Sequence, residues 1–309
     1  MLGPLGHVGA GLAYLAQNGR LQASDAATAK QLAWPPSRHL PPGLALRWLG
    51  TAGFRIEYQG VVLWIDPYLT RVPLADVLLR RVVSSSAAEV AKHVDRADAV
   101  LVGHTHFDHA MDVPTIARAT GAMTYGSTSL AALMHLHGLA AQTTVVAAHR
   151  SYEIGPFRVR FVPSVHSKLV LGLAVQDAGE LTCEHVEDLT PSAYRCGQVW
   201  GIAIEVAGLR LYHQGSADLL EAEIRDRNVD VFLCGIAGRR FTPRYLERVC
   251  AALGPALIVP THYDDFFRPY DAPSRMSFNV NLTGFAEEVH RATREVPVCT
   301  LTVGQEIRG

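Results

Sequence analysis

The chain has 309 residues, 49% of them hydrophobic and 18% charged, and its formal net charge is −1. A chain this long and this apolar can bury a full core without disulfides, which excludes a mainly disordered or disulfide-stapled class. The near-zero charge argues against a protein that lives by phosphate contacts, so neither nucleic acid nor an anionic membrane is expected as partner. Five cysteines, Cys183, Cys196, Cys234, Cys250 and Cys299, form an odd set without CxxC spacing. Free thiols in a reducing compartment are expected. The first 19 residues carry no Lys or Arg before their apolar part, and no stretch reaches 18 uninterrupted apolar residues. That makes a poor secretion signal and no spanning helix, so a cytoplasmic protein is expected.

Residues 1–43 read as an N-terminal extension. They contain a helix over 24–34, capped by Ser24 and stopped by Pro35-Pro36. From Leu44 three strands follow in LALRWLG, GFRIEYQG and VVLWIDP. In the second, Phe54, Ile56 and Tyr58 alternate with Arg55 and Glu57. The apolar run 97–102 leads into a loop at Gly103. Asp112 then caps a helix with Pro114 in its first turn and Gly121 after its end. A strand over 156–166 precedes the loop-rich segment 167–198. A hairpin, VWGIAIEV and LRLYHQG, turns at Ala207-Gly208. Thr242-Pro243 opens a helix that closes at Gly254, and a strand over 256–260 ends in Thr261-His262. Hairpins followed by strand–helix alternation predict an α/β domain over 44–309, its sheets covered by helices on their outer faces.

The dominant motif is His104-x-His106-x-Asp108-His109. Three histidines and one aspartate in fixed positions arise by chance on the order of once in a thousand such chains. Imidazoles and carboxylates are ligands for Zn²⁺, Mn²⁺ and Fe²⁺. In an extended chain, His104 and His106 point the same way and converge on one ion. Asp108 and His109 are adjacent, diverge, and suit a second. Two isolated histidines share the same setting: His166 and His262 each end a strand.

This pattern resembles the metallo-β-lactamase superfamily of metallohydrolases. The HxHxDH core, His166, the region 212–218 and His262 fall in that family's order. The opening at 48–54, the run Leu63-Trp64-Ile65-Asp66-Pro67 and the stretch 260–267 are similar to one branch. That branch holds L-ascorbate-6-phosphate lactonase and N-acylphosphatidylethanolamine phospholipase D. The resemblance implies a four-layer αββα sandwich with a dinuclear metal site at one sheet edge. By that pattern His104, His106 and His166 bind a first ion, Asp108, His109 and His262 a second, and Asp66 orients a ligand histidine. The chain departs from the pattern at Gly215-Ser216-Ala217-Asp218. The family has a bridging Asp directly after the Gly. Here Ser216 stands there, and Asp218, two residues on, either reaches back as a ligand or caps a helix beginning at Leu219.

The implied function is a metal-dependent hydrolase acting through a metal-bound hydroxide on an ester, lactone or phosphodiester, with one or two ions, Zn²⁺ first and Mn²⁺ or Fe as alternatives. Asp108 is placed to orient the hydroxide. The leaving group takes its proton from metal-bound water or from His213. The segment 167–198 is expected to overhang the site as a lid and to offer Lys168, His185 and Tyr194 to a small-molecule substrate. The alternatives are an iron-dependent oxidoreductase of the same fold and a catalytically silent binding protein that has lost its bridging carboxylate. A nuclease is disfavoured by the charge. Self-association is left open.

Overall fold

The computed structural model describes residues 18–168, 174–277, 280–293 and 295–309. Two β-sheets follow one another along the chain. The first holds β1 (Ala45–Gly50), β2 (Gly53–Tyr58), β3 (Val61–Ile65), β4 (Ala99–Leu101), β5 (Met123–Gly126) and β6 (Thr143–Val145) in chain order. The second holds β7 (Ser151–Ile154), β8 (Phe157–Ser164), β9 (Val199–Val206), β10 (Leu209–Gln214), β11 (Val231–Gly235) and β12 (Ile258–Thr261), also in chain order. The last strand, β13 (Glu306–Arg308), returns to pair with β1. The described helices are α1 (Asn18–Gln31), α2 (Leu74–Leu78), α3 (Ala87–His93), α4 (Phe107–Ala110), α5 (Val113–Thr120), α6 (Thr128–Leu136), α7 (Tyr245–Leu253) and α8 (Leu282–Thr293). None of them is long and apolar enough to cross a membrane.

Period-two alternation explains the layering. Along β3, Leu63 and Ile65 join the core between the sheets, while Val62 and Trp64 join a second core under the helices. Along β4, Ala99 and Leu101 face inward and Val100 outward. Both faces are covered, so these strands read as unbroken apolar runs. Val90 of α3, Ile116 of α5 and Leu130 of α6 cover the first sheet. Val249 of α7 and Phe285 of α8 pack into the core against the second. Each large side chain so buried is worth roughly 1.5–3 kcal/mol. The result is the expected αββα sandwich.

Strand direction sets where function can sit. β3 runs parallel to β4, and β10, β11 and β12 are mutually parallel. Because β8 and β10 are both antiparallel to β9, their C-terminal ends also share one edge. The residues just beyond these ends meet across the sandwich. Trp200 N–H donates to the Gly103 carbonyl at 2.8 Å, and His262 N–H to the Thr51 carbonyl at 2.8 Å. Such a carboxyl edge is where sheets of this kind expose functional loops.

The N-terminal helix departs from its expected bounds. It runs over Asn18–Gln31, starting before Ser24 and ending before Trp34. Ser24 is interior to it, with its hydroxyl 3.1 Å from that of Thr283. The neighbouring Asp25 is buried, and its Oδ1 accepts the Thr283 N–H at 2.9 Å and the Thr283 hydroxyl at 3.0 Å. Asp25 thus caps α8 from another helix, beside the local cap in which Asn281 Oδ1 accepts the Gly284 N–H at 2.9 Å. Residues 1–17 of the expected extension lie outside the described residues. Asp25→Ala is expected to lower the free energy of unfolding by about 1 kcal/mol, the usual worth of an N-cap, read by urea denaturation. An unchanged midpoint would refute the cap.

Candidate metal centre

Gly103 ends the run from β4 and starts the motif loop. The loop is anchored to the segment that leads into β9: Thr105 N–H donates to the Cys196 carbonyl at 3.0 Å. α4 opens immediately, with His106 as its N-cap and Asp108 and His109 in its single turn. The side chains form two clusters, His104 with His106 and His166, and Asp108 with His109 and His262. All six residues but His166 are buried to below a tenth of their surface, and His166 is part-buried. Within each cluster the candidate ligand atoms lie within 4.8 Å of one another. The clusters touch through His104 and His109, whose ring centroids are 3.8 Å apart.

The donor atoms fit a pair of cations. His104 Nε2 and His106 Nδ1 approach to 3.1 Å. His262 Nε2 and His109 Nε2 lie 3.1 and 3.6 Å from Asp108 Oδ2. Three of the five outer nitrogens are tethered by the protein, while His262 Nδ1 is buried without a partner. His106 Nε2 meets the Gln176 carbonyl at 2.9 Å, His166 Nδ1 the Ser167 carbonyl at 2.7 Å, and His109 Nδ1 the Asp66 Oδ2 at 2.9 Å. A ligating imidazole holds its other nitrogen on an acceptor in this way, which fixes tautomer and ring orientation. Asp66 is fully buried, and its other oxygen takes the Gly103 N–H at 2.7 Å.

Gly215 follows β10 and packs beneath. A Cβ there would stand 2.9 Å from Asp66 Oδ2 and 3.3 Å from the His109 ring, so only glycine fits. Asp66 (φ 42°) and His262 (φ 64°) both take left-handed backbone conformations. Non-glycine residues hold such strain where surrounding contacts over-determine them.

Burial governs the titration of these groups. It pushes His104, reinforced by the facing imidazoles of His109 and His106, well below the ordinary histidine value, and it lowers His106. His166 falls to about 3, again through burial first and His106 second. Burial alone would lower His109, but Asp108 and Asp66 outweigh it and raise the ring. Burial alone would raise Asp108, but His109 and His262 outweigh it and hold the carboxylate ionised.

Several expected site residues stand elsewhere. Asp218 joins neither cluster. Its Oδ1 accepts its neighbour Leu219 N–H at 2.9 Å and faces Arg248 Nη1 at 3.6 Å. The chain turns after Gly215, because the Gln214 amide binds the Asp218 carbonyl at 3.0 Å, and the turn swings the carboxylate outward. Nor does Asp218 cap an α-helix, since the chain beyond it forms only a single 3₁₀ turn at Glu221–Glu223. Ser216 stays in the site, where its hydroxyl accepts the Ser167 N–H at 3.0 Å. His213 does not reach the cavity. It is fully buried, and its Nε2–H donates to the Ala52 carbonyl at 2.8 Å, so it cannot deliver a proton to a leaving group. Tyr194 is buried in the core under the helices, and His185 is exposed away from the cavity. Lys168 is exposed and outside the lining as well.

A cavity of about 160 Å³ opens over the clusters. The segment 167–198 reaches it through Gln176 and Asp177, which carried no sequence signal; residues 169–173 lie outside the described residues. Phe107, Phe266 and Phe267 form its apolar wall. Arg71 and Asp264 form a buried ion pair at 3.2 Å behind His262. Asp264 accepts the Thr51 N–H at 2.7 Å and so fixes the turn that holds the His262 backbone.

Residues 45–262 match the beta-lactamase superfamily domain, and the chain belongs to that superfamily. A metal-dependent hydrolase of Pelotomaculum thermopropionicum is 28% identical over 226 residues, covering 72% of this chain and 85% of the relative. Igni18, a novel metallo hydrolase from Ignicoccus hospitalis, shares the fold with a TM-score of 0.56 and 21% identity, over 85% of this chain and 97% of its own. CmlA, a diiron beta-hydroxylase from Streptomyces venezuelae, also shares it, with a TM-score of 0.56 and 14% identity, over 87% of this chain and 55% of its own. Membership and fold place the chain in the class of metal-dependent hydrolases of the metallo-β-lactamase fold.

Three outcomes are expected. His106→Ala removes most bound metal, measured by elemental analysis, while circular dichroism stays native. Asp218→Ala keeps its metal and loses no more than about 1 kcal/mol, because its ion pair with Arg248 is long, at 3.6 Å, and partly exposed to solvent. Retention in the first or loss in the second would redraw the ligand set. The third is a pH dependence of the metal-stripped protein. His104, His106 and His166 are depressed in the fold, so between about 6.5 and 3 the unfolded chain binds more protons than the native one. Stability must therefore fall as pH drops through that window, by up to roughly 1.4 kcal/mol per pH unit for each such histidine. His109, being raised, contributes fully below the unfolded value and loses its share only as pH rises through its folded value. It cannot cancel the fall. Denaturant titrations near pH 7 and pH 5 that give equal stabilities would contradict this.

Proposed function

We propose that the chain holds a pair of metal ions, one on His104, His106 and His166 and one on Asp108, His109 and His262, and hydrolyses an ester, lactone or phosphodiester. The observation that carries this reading is the pairing of two three-residue clusters, in which His106, His166 and His109 have their outer nitrogens tethered to carbonyls and to Asp66. Five imidazoles and one carboxylate suit Zn²⁺ first, with Mn²⁺ or Fe²⁺ as alternatives, and disfavour Mg²⁺ or Ca²⁺. When bound, the ions supply Lewis acidity toward the substrate oxygen and lower the pKa of bound water.

The chain's own residues do the rest. Asp108 lines the cavity as a carboxylate, where it accepts a hydrogen bond from the attacking water and aims its oxygen. Asp66 holds the His109 ring in place. The aromatic wall excludes bulk water, which strengthens every charge interaction inside. Hydrolysis adds the water oxygen to the electrophile and breaks the bond to the alcohol. One proton of the water leaves with the alcohol and the other with the acid. With His213 sealed behind Ala52, that proton comes from water rather than from an imidazole. The stretches 48–54 and 260–267 keep kinship with the lactonase and phospholipase D branch within this reading.

Elemental analysis of protein purified without added metal tests it directly. Expected is zinc at a pair of ions per chain, hydrolysis abolished by chelation and restored by Zn²⁺, and one ion lost in His262→Ala. Iron with substrate-dependent O₂ uptake would replace the hydrolase by the oxidoreductase reading. Bound metal without any turnover would favour a silent binding protein.

A further inference from the structure

The walls of the cavity and the surface at its mouth narrow the substrate class. Beside the clusters, five lining residues are apolar: Val77, Phe107, Ala237, Phe266 and Phe267. The wall is rigid. Phe266 stands edge-on to the His262 ring at 5.1 Å and packs on Phe267 at 4.3 Å, and Tyr68 braces both Phe107 and Phe266. No lysine or arginine is among the described lining residues. Beyond the proposed ions, the apolar residues and the acidic Asp177 of the lining give a phosphodiester's permanent charge no further partner, whereas they suit an uncharged acyl ester.

The apolar wall continues outside. Val77 belongs to α2, a helix with no buried residue. Leu74 lies one turn before Val77, and Leu78 one turn after Leu74, so the three share a face. Leu78 is 73% exposed, and Leu79 and Val82 just beyond are exposed too. Of the six exposed large hydrophobics described, four fall within 74–82, the segment that gives Val77 to the cavity lining. The strip is pinned at both ends, by Val72 N–H on the Tyr68 hydroxyl at 2.8 Å and by Val83 N–H on the Leu189 carbonyl at 2.8 Å. An apolar patch continuous with a reactive cavity marks a ligand surface rather than scatter.

We infer that the substrate is an uncharged ester with a linear acyl chain. Its carbonyl sits at the clusters, and its chain runs past Val77 onto Leu74 and Leu78. This rests on the hydrolase reading, and the test separates the two. First, the metal-loaded enzyme is assayed on p-nitrophenyl butyrate, p-nitrophenyl octanoate and bis-p-nitrophenyl phosphate. Expected is a kcat/KM roughly tenfold higher for octanoate than butyrate, since four added methylenes are partly covered. The phosphodiester should be the poorest of the three. Leu74→Ser with Leu78→Ser should remove most of the chain-length gain. Second, saturation-transfer NMR follows 2-decanone, an unhydrolysable stand-in for the ester, on the metal-stripped protein. Transfer to its terminal methylenes is expected, and it should fall by about half or more in the double variant.

Phosphodiester turnover without chain-length dependence would overturn the acyl-ester inference and leave the hydrolase reading intact. Absence of all turnover would sink the hydrolase reading and the ester inference with it, even with 2-decanone bound through Leu74 and Leu78, because an ester that is not turned over is no substrate. No saturation transfer to 2-decanone would overturn the inference whatever the activity. Size-exclusion chromatography covers the remaining occupant. If the double variant converts a dimer to a monomer and leaves the 2-decanone signal unchanged, the strip is an interface between copies and the inference fails.

Discussion

One carboxylate ties the two strand ends on which this centre depends. Asp66 leaves β3 and reaches across to the end of β4, taking the Gly103 amide with one oxygen and the His109 ring with the other. It is fully buried, and its backbone is in a left-handed conformation that costs of order 1–3 kcal/mol. Hydrogen bonds to a charged acceptor, each worth about 1.5–3 kcal/mol, offset that strain. The parallel register of β3 and β4, Ile65 opposite Leu101, makes the reach short. With His109 fixed, its Nε2 faces Asp108 Oδ2, and the second cluster takes its shape from there. Gly103 and Gly215 are small because Asp66 needs the room on both sides.

His262 repeats the same device on the other sheet. It also leaves its strand in a left-handed conformation, and its amide is held by the Thr51 carbonyl. Thr51 is fixed in turn by Asp264, which is paired with the buried Arg71. The turn between β1 and β2 therefore acts as a clasp between the sheets. His213 binds the Ala52 carbonyl in that same turn, which explains a fully buried histidine whose role is structural. Breaking such a buried pair on one side leaves an uncompensated charge, so the clasp is sensitive to single substitutions.

The parts of the site legible in the sequence are those fixed by local geometry. His104, His106, Asp108 and His109 lie within six residues, and their spacing alone implies convergence. His166 and His262 were legible because each ends a strand and the strands share an edge. Asp218 was not, because facing inferred from an extended chain fails once the chain turns. The Gln214 amide and the Asp218 carbonyl make that turn, and no periodicity announces it. Tyr194 sits in a loop-rich segment whose apolar residues still serve a core. The strands β5, β6, β7 and β13 have three or four residues each, too few to show a period. Gln176, Asp177 and Val77 come to the cavity from loops and a short helix, so only the tertiary structure brings them there.

The balance of charge inside the cavity links these features to chemistry. Burial keeps His104 and His166 neutral, the form in which an imidazole donates a lone pair. Among the six clustered residues only Asp108 contributes a formal negative charge, with Asp66 behind it. Ser216, at the position where the superfamily pattern carries a carboxylate, keeps that count low. On the proposed function, a centre so poor in anionic ligands would hold its cations less tightly than one with a shared carboxylate, because less charge would offset their mutual repulsion. It would also leave more positive field in the cavity beside the aromatic wall, and that field would stabilise negative charge as it develops on a substrate oxygen. Ser216 would in this way exchange grip on the metal for stabilisation of the transition state.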